Sequence, residues 1–384
     1  MCIRDSYTKS CTRIIKLEIQ ITQDLVRMES VTPNDGGCLD YISSKLAAQG
    51  FVNETLTYGR VKNLWSVIDN GGPLLVFAGH VDVVPSGPID KWEHDPFSGH
   101  NDGEFIHGRG TGDMKGGIAC FLAALERLNA KDLNYSLAFL ITADEEGPSK
   151  DGTVKVVEEL QKRGQKIDYC LIGEPSTIEN VGDNVRIGRR GSVNINLEVK
   201  GKQGHAAYPD KVINPIHKIS GFLKKVTEEV WDNGNEHFPP TSLQLTNITA
   251  GIGAHNVTPN NLYLKFNLRF SPEITADHIK EKITAMLAEE DVEYEIDFDI
   301  SALPYYSNPA LFTEVVKQSI KKSQGLETQL SCTGGTSDGR FLARTGAEII
   351  ELGPKYETIH KINERVEVKE LSLIHISEPT RPLD

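Results

Sequence analysis

The chain has 384 residues, 39% of them hydrophobic and 25% charged, with a formal net charge of −13. That length accommodates two domains with a sizeable core in at least one, and the composition excludes a disordered chain. The acidic balance argues against a general nucleic-acid or membrane surface, while permitting an anionic small substrate wherever local Arg or Lys residues dominate a pocket.

Both ends read as foreign. MCIRDS (residues 1–6) and LSLIHISEPTR (371–381) resemble translations of the two strands of a transposon adapter used in sequencing libraries. Residues 1–6 and 371–384 are therefore expected to be non-native, with a natural C-terminal helix cut off near Glu370, and no function is assigned to them. There is no signal-peptide core and no apolar stretch long enough to span a bilayer. The six cysteines, Cys2, Cys11, Cys38, Cys120, Cys170 and Cys332, include no CxxC pair. Free thiols in a reducing, cytoplasmic compartment are expected, with Cys120 and Cys170 in the core.

In chain order, Leu17–Met28 and Leu39–Gln49 have helical apolar spacing around a turn at Thr32–Gly37. LLVFAG (74–79) is a continuous apolar run, the pattern of a strand covered on both faces, and it delivers His80 and Asp82 at its end. Gly116–Leu128 reads as a helix. SLAFLITA (136–143) is a second buried strand, ending at Asp144-Glu145-Glu146-Gly147. Val154–Lys162 reads as a helix and DYCLIGEP (168–175) as a strand ending at Glu174. Polar residues at the ends of buried strands separated by helices predict a mostly parallel α/β sheet, with the site beyond the strand C-termini.

After Arg190 the pattern changes to alternation: SVNINLEVKG, SLQLTNITA, LYLKFNLRF and VEYEIDFDI read as strands of a sheet with one open face. Helices are expected at Asn214–Trp231 and Ile274–Glu289. This gives a β-α-β-β-α-β insert over residues 191–301, between two parts of a catalytic domain at 17–190 and 302–370.

His80, Asp113, Glu146, Glu174 and His360 form a candidate ligand set, with Asp82 two residues after the first and Glu145 beside the third. Two imidazoles, three carboxylates and a spare carboxylate are what a two-zinc hydrolase requires. His80 and Asp82 share one side of an extended segment, so the acid can orient the imidazole; a surface His–Asp pair is the plainer alternative. Asp113 lies in the glycine-rich GRGTGDMKGG (108–117), suited to close backbone approach and to a carboxylate bridging two metals. Adjacent acids repel unless one is neutralised, which assigns Glu146 to metal and Glu145 to general acid–base work, against the alternative of an acidic helix start. Arg109 and Lys115 are read as solvated or paired with acids. His94, His100, His107, His217 and His237 are read as structural or exposed, and Ser337 lacks a nucleophile elbow around it.

HVDVVP (80–85), GRGTGDMKGG (108–117), DEEG (144–147), GEP (173–175) and GKQGHAAYP (201–209) together resemble the M20 metallopeptidase and deacylase family. The resemblance implies a zinc-exopeptidase-like α/β catalytic domain with the α+β insert serving as lid and dimerisation domain. It also implies two Zn²⁺ per subunit, with Co²⁺ as a substitute. His80 and Glu174 would hold one ion, Glu146 and His360 the other, and Asp113 both. His205 is implied to reach a partner subunit's site and stabilise the oxyanion. Arg189, Tyr208, Asn256, Arg269 and Thr336 are implied to meet substrate.

SVTPNDGG (30–37), the Arg189-Arg190-Gly191 junction, GGTSDGRF (334–341) and TIHKINE (358–364) resemble the branch of that family that removes a succinyl group from an amide. This implies cleavage of N-succinyl-LL-2,6-diaminopimelate, with an acetylornithine-type deacylase as the nearest rival and a non-catalytic binding protein on the same scaffold as the remote one. One departure stands out: the branch commonly has Asn four residues before its last ligand, where this chain has Tyr356.

Overall fold

Leu74–His80 and Ser136–Thr142 are buried along their whole length, which a strand tolerates only where both sheet faces are covered. In the computed structural model, which describes residues 17–374, these two strands sit at the centre of an eight-stranded sheet. Its spatial order is Val52–Tyr58, Val61–Ile68, Ser136–Thr142, Leu74–His80, Tyr169–Ile172, Glu348–Glu351, Asn184–Arg186, Gln329–Ser331. The middle four are mutually parallel, in a register that sets His80 opposite Thr142, Ala78 opposite Ile172 and Ile172 opposite Glu351. Their C-termini therefore emerge along one edge of the sheet.

Helices cover the sheet through their apolar stripes. Leu39, Ile42 and Leu46 of Cys38–Ala48, Ile118, Phe121 and Leu125 of Gly116–Leu125, and Phe312, Val316 and Ile320 of Leu311–Gln324 join one core with Phe77 and Phe139. The Phe77 ring lies 4.8 Å from that of Phe121 and 5.2 Å from that of Phe139. Each such side chain contributes about 1.5–3 kcal/mol on burial, so the strand ends are carried on a rigid base.

The expected helices and buried strands are present within a few residues of their predicted limits. Two features differ from expectation. The hairpin Val52–Tyr58/Val61–Ile68 adds antiparallel strands beside Ser136–Thr142; its short, interrupted alternation hides it. The predicted helix Asn214–Trp231 is instead Pro215–Lys218 followed by Ser220–Glu228. Asn214 caps the first piece through its side chain, Ile219 lies off the helical minimum at φ −90, ψ −4, and Glu229 is already extended. Trp231 is buried outside the helix, under the ammonium of Lys282.

The chain divides into two units. Among the described residues, one comprises 17–188, Tyr306–Ser331 and 337–374; the other comprises Arg189–Tyr305 and Cys332–Thr336. The second is an α+β unit: an antiparallel sheet in the order Ser242–Ala250, Asn261–Phe270, Gly191–Lys200, Tyr294–Ala302. Val193, Ile195, Leu197 and Val199 alternate with exposed or half-exposed residues and pack on Phe222, Val226, Ile279 and Ile283 of two helices. No helix among the described residues is long and apolar enough to cross a membrane.

Candidate metal centre

Four of the five expected ligands and their two acidic helpers are delivered by the parallel-strand edge and the loop beside it. His80 is the last residue of its strand, Glu145 and Glu146 follow Thr142 closely, and Glu174 lies two residues after Ile172. Close approach at this edge needs residues without a side chain. A Cβ on Gly353 would lie 2.4 Å from the Gly173 carbonyl oxygen and 2.5 Å from that of Glu174.

Asp113 comes from the turn before helix Gly116–Leu125, where a cis peptide joins it to Met114. The loop is held from behind by a residue that the sequence did not single out. Glu364 is fully buried, and its Oε1 accepts backbone N–H groups from Gly110 (3.0 Å), Gly112 (3.1 Å) and Asp113 (3.3 Å). Its Oε2 accepts from Arg109 Nη1 at 2.6 Å. Burial pushes this carboxyl up to about 7 against the pull of Arg109. Arg109 is thus paired with an acid, one of the two expected alternatives, whereas Lys115 is paired with backbone carbonyls instead. Lys115 is fully buried and donates to the carbonyls of Leu25 and Met28, 2.9 Å each, closing the end of helix 17–27, in keeping with cations at helix C-termini.

Asp113 faces both ways. Its Oδ1 is 3.2 Å from His80 Nε2 and its Oδ2 is 3.3 Å from His360 Nε2. Glu174 Oε1 lies 3.6 Å from the same His80 nitrogen, and Glu146 Oε1 lies 2.7 Å from the same His360 nitrogen. His80–Asp113–Glu174 and Asp113–Glu146–His360 each offer three ligand atoms within 4.8 Å of one another, sharing Asp113. His80, Asp113 and Glu174 are buried, whereas the His360 side chain is 48% exposed on a residue with φ 60.

His80 Nδ1 donates to the backbone carbonyl of Asp82 at 2.8 Å, which leaves Nε2, facing Asp113, as the nitrogen available to a metal. The Asp82 carboxylate, expected to take that bond itself, stands 3.7 Å away. It instead accepts the backbone N–H groups of Glu145 (3.2 Å) and Glu146 (3.1 Å). Asp82 therefore ties the strand end bearing His80 to the loop bearing the acid pair.

The profile of peptidase family M20/M25/M40 matches residues 76–374. A succinyl-diaminopimelate desuccinylase of Hydrogenovibrio crunogenus is 49% identical over 358 residues, 92% of this chain and 94% of that protein. Another, from Marinobacter nauticus, is 45% identical over 93% of this chain and 95% of that one. The chain belongs to the M20 family. An M20 metallo-carboxypeptidase of Sulfolobus solfataricus shares the fold at a TM-score of 0.81 and 18% identity, covering 94% of this chain and 98% of that one. Human carnosine dipeptidase 1 does so at 0.77 and 16% identity, covering 99% and 100%.

The electrostatics of this M20 site test whether a cation pair fits it. At His80, burial opposes the imidazolium, but hydrogen bonds to Asp113 and Glu174 outweigh it and hold the group well above its ordinary value. Hydrogen bonds to Asp113 and Glu146 raise His360 to about 10. Burial works to raise Asp113, yet His360 and His80 bring it below the usual carboxylate range. The carboxylates thus pull protons onto the imidazoles, and divalent ions can replace that charge. Imidazole and carboxylate donors around a shared carboxylate fit two zinc ions. Burial pushes Glu145 well up, His80 opposes this, and Glu174, Asp338 and Glu146 reinforce it.

The remaining expected residues belong to the second unit. His205 is exposed, its Nδ1 accepting the Ala207 N–H at 3.1 Å and its ring 5.7 Å from that of Tyr208. The Asn256 carbonyl accepts the Ala206 N–H at 2.9 Å, which joins the His205 and Asn256 segments. Arg189 is buried and donates to the Gly335 carbonyl beside Thr336. Burial first, then the charge of Arg190, lowers Arg269, so two guanidinium groups share one locality. In the first unit, the Tyr356 ring lies under the Arg186 guanidinium at 5.2 Å, and the Ser337 hydroxyl is taken up by Glu351.

Proposed function

We propose that the chain cleaves N-succinyl-LL-2,6-diaminopimelate with water to succinate and LL-2,6-diaminopimelate, as a two-zinc amide hydrolase of diaminopimelate and lysine biosynthesis. The observation that carries the chemistry is the pair of ligand groups sharing Asp113 with Glu145 alongside. The substrate rests on relatives that span more than nine-tenths of the chain at 45–49% identity and bear the desuccinylase name.

His80 and Glu174 would hold one zinc ion, Glu146 and His360 the other, and Asp113 both. When bound, the pair supplies Lewis acidity and makes water at the site easier to deprotonate. Glu145 takes the proton of the attacking water and later delivers it to the leaving amine. Asp82 keeps Glu145 and Glu146 in place through their backbone amides. His205 donates to the oxyanion, and Arg189 and Arg269 bind substrate carboxylates with the fork geometry of guanidinium, assisted by Tyr208, Asn256 and Thr336.

The second unit acts as lid and dimerisation domain, the protein works as a cytoplasmic homodimer, and Co²⁺ substitutes for Zn²⁺. The edge strand Ser242–Ala250, with Leu245 and Ile248 exposed, supports the dimer. Residues 1–6 and 371–384 are read as adapter-derived, although Leu371 is buried beside Cys120.

The test is hydrolysis by the zinc-loaded protein of N-succinyl-LL-2,6-diaminopimelate against N-acetylornithine. Selective release of succinate is expected. Preference for acetylornithine would move the chain to the deacylase branch, and turnover of neither would leave a binding protein on the scaffold.

A further inference from the structure

His94, His100 and His107, which sequence spacing gives no reason to group, meet outside the candidate ligand cluster, His100 and His107 on a small hairpin and His94 from the segment before it. Strand His100–Asn101 pairs antiparallel with Phe105–His107, placing His100 directly opposite His107. Opposed residues on such a pair project to the same face. The turn is built for this: Gly103 takes φ 98, and Asp102 Oδ1 accepts the N–H groups of Glu104 (2.8 Å) and Phe105 (2.7 Å). The His94 ring stacks on His100 at 3.9 Å and meets His107 at 4.8 Å, while the His100 and His107 rings are 5.9 Å apart.

His107 is buried, and its Nε2 donates to Asp102 Oδ2 at 2.9 Å. That bond leaves Nδ1 as a lone pair, the arrangement by which a carboxylate orients a metal-binding imidazole. The Phe105 amide, then His107 and the Glu104 amide, hold Asp102 below the usual carboxylate range, so it stays an acceptor. Arg365, opposite His107 on the next strand, has its guanidinium over the Phe105 ring at 4.2 Å. The proposed hydrolysis assigns no part to any of these groups.

We infer that His94, His100 and His107 form a separate site for a borderline transition-metal ion such as Ni²⁺ or Zn²⁺, with Asp102 orienting His107. Imidazole is a preferred ligand for these ions, and an oxygen-seeking Ca²⁺ or Mg²⁺ finds no comparable carboxylate set here. Ligand nitrogens need to close to roughly 2.0–2.1 Å from the ion. As they stand, the three imidazoles do not bring one nitrogen each within 4.8 Å of one another; His100 is exposed and His94 half-exposed, so the site requires these two side chains to rotate toward His107 when the ion binds.

The experiment starts from protein loaded with two zinc ions and freed of excess metal. It is titrated calorimetrically with Ni²⁺ alone, and zinc content is followed by atomic emission. One Ni²⁺ per chain is expected with both zinc ions retained. The double variant His94→Ala/His100→Ala is expected to lose that binding while keeping its melting temperature and hydrolytic rate. Asp102→Asn, which keeps all three imidazoles, is expected to weaken Ni²⁺ binding about 10–100-fold. Nickel uptake only in exchange for zinc, no uptake at all, or equal uptake by the double variant would overturn the site.

Discussion

The two units bury an apolar layer through opposite sequence patterns, and the contrast decides where chemistry can sit. In the first, Leu74–His80 and Ser136–Thr142 are buried on both faces. A polar group has room there only where a strand stops, so His80, Glu145, Glu146 and Glu174 converge on one edge. In the second, polar and apolar residues alternate, as in Gly191–Lys200, with one face turned to helices. Polar side chains there are routine, and nothing in the pattern marks His205 or Arg269 as different from Asn194 or Asn196. Strand-end polarity is thus informative in a doubly covered sheet and nearly silent in a half-open one.

Substitutions in each unit sharpen this division of labour. Glu145→Gln should lower kcat by about 10²–10⁴-fold with zinc content unchanged; full activity would remove Glu145 from the acid–base role. His205→Ala should cost about 10²–10³-fold in kcat with KM and zinc affinity nearly constant. An effect confined to KM would make His205 a binding residue. Glu364→Ala should weaken zinc about 10–100-fold in a chelator competition because the amides of the Asp113 loop lose the oxygen that accepts them. Unchanged affinity would show that the loop holds its shape without it.

The smallest effect concerns the metal-free protein. His360 rises from about 6.5 to about 10 through Asp113 and Glu146. Its contribution to stability is therefore fully present below about 6.5 and is lost as pH climbs through about 10. Thermal melts should show a modest decline across that window, reduced by solvent screening at this half-exposed residue. Zinc loading, which displaces the proton, should abolish the slope. A flat metal-free profile would mean that the imidazole is not paired with these acids.

The buried strands and the candidate ligands that the fold gathers at their ends are legible because they follow from local pattern. The hairpin Val52–Tyr58/Val61–Ile68 was not, since Val61–Ile68 owes its burial to pairing with Ser136–Thr142. Nor was Glu364, which sits 251 residues from the Asp113 amide that it holds. The Asp82 carboxylate was assigned to His80 by spacing, but the fold supplies a backbone carbonyl there and frees the acid for two amides. His94, His100 and His107 became a group only through hairpin register.

Because the two half-sites own Asp113 in common, neither is an independent binding event. An ion held by one group would fix a side chain whose two oxygens lie 3.2 Å from His80 Nε2 and 3.3 Å from His360 Nε2, so part of the ordering cost of the other group would be met in advance. Loading should accordingly be cooperative along the sequence of additions, and a change at residue 113 should weaken both positions directly, where a change at Glu174 or Glu146 should empty one and weaken the other through Asp113.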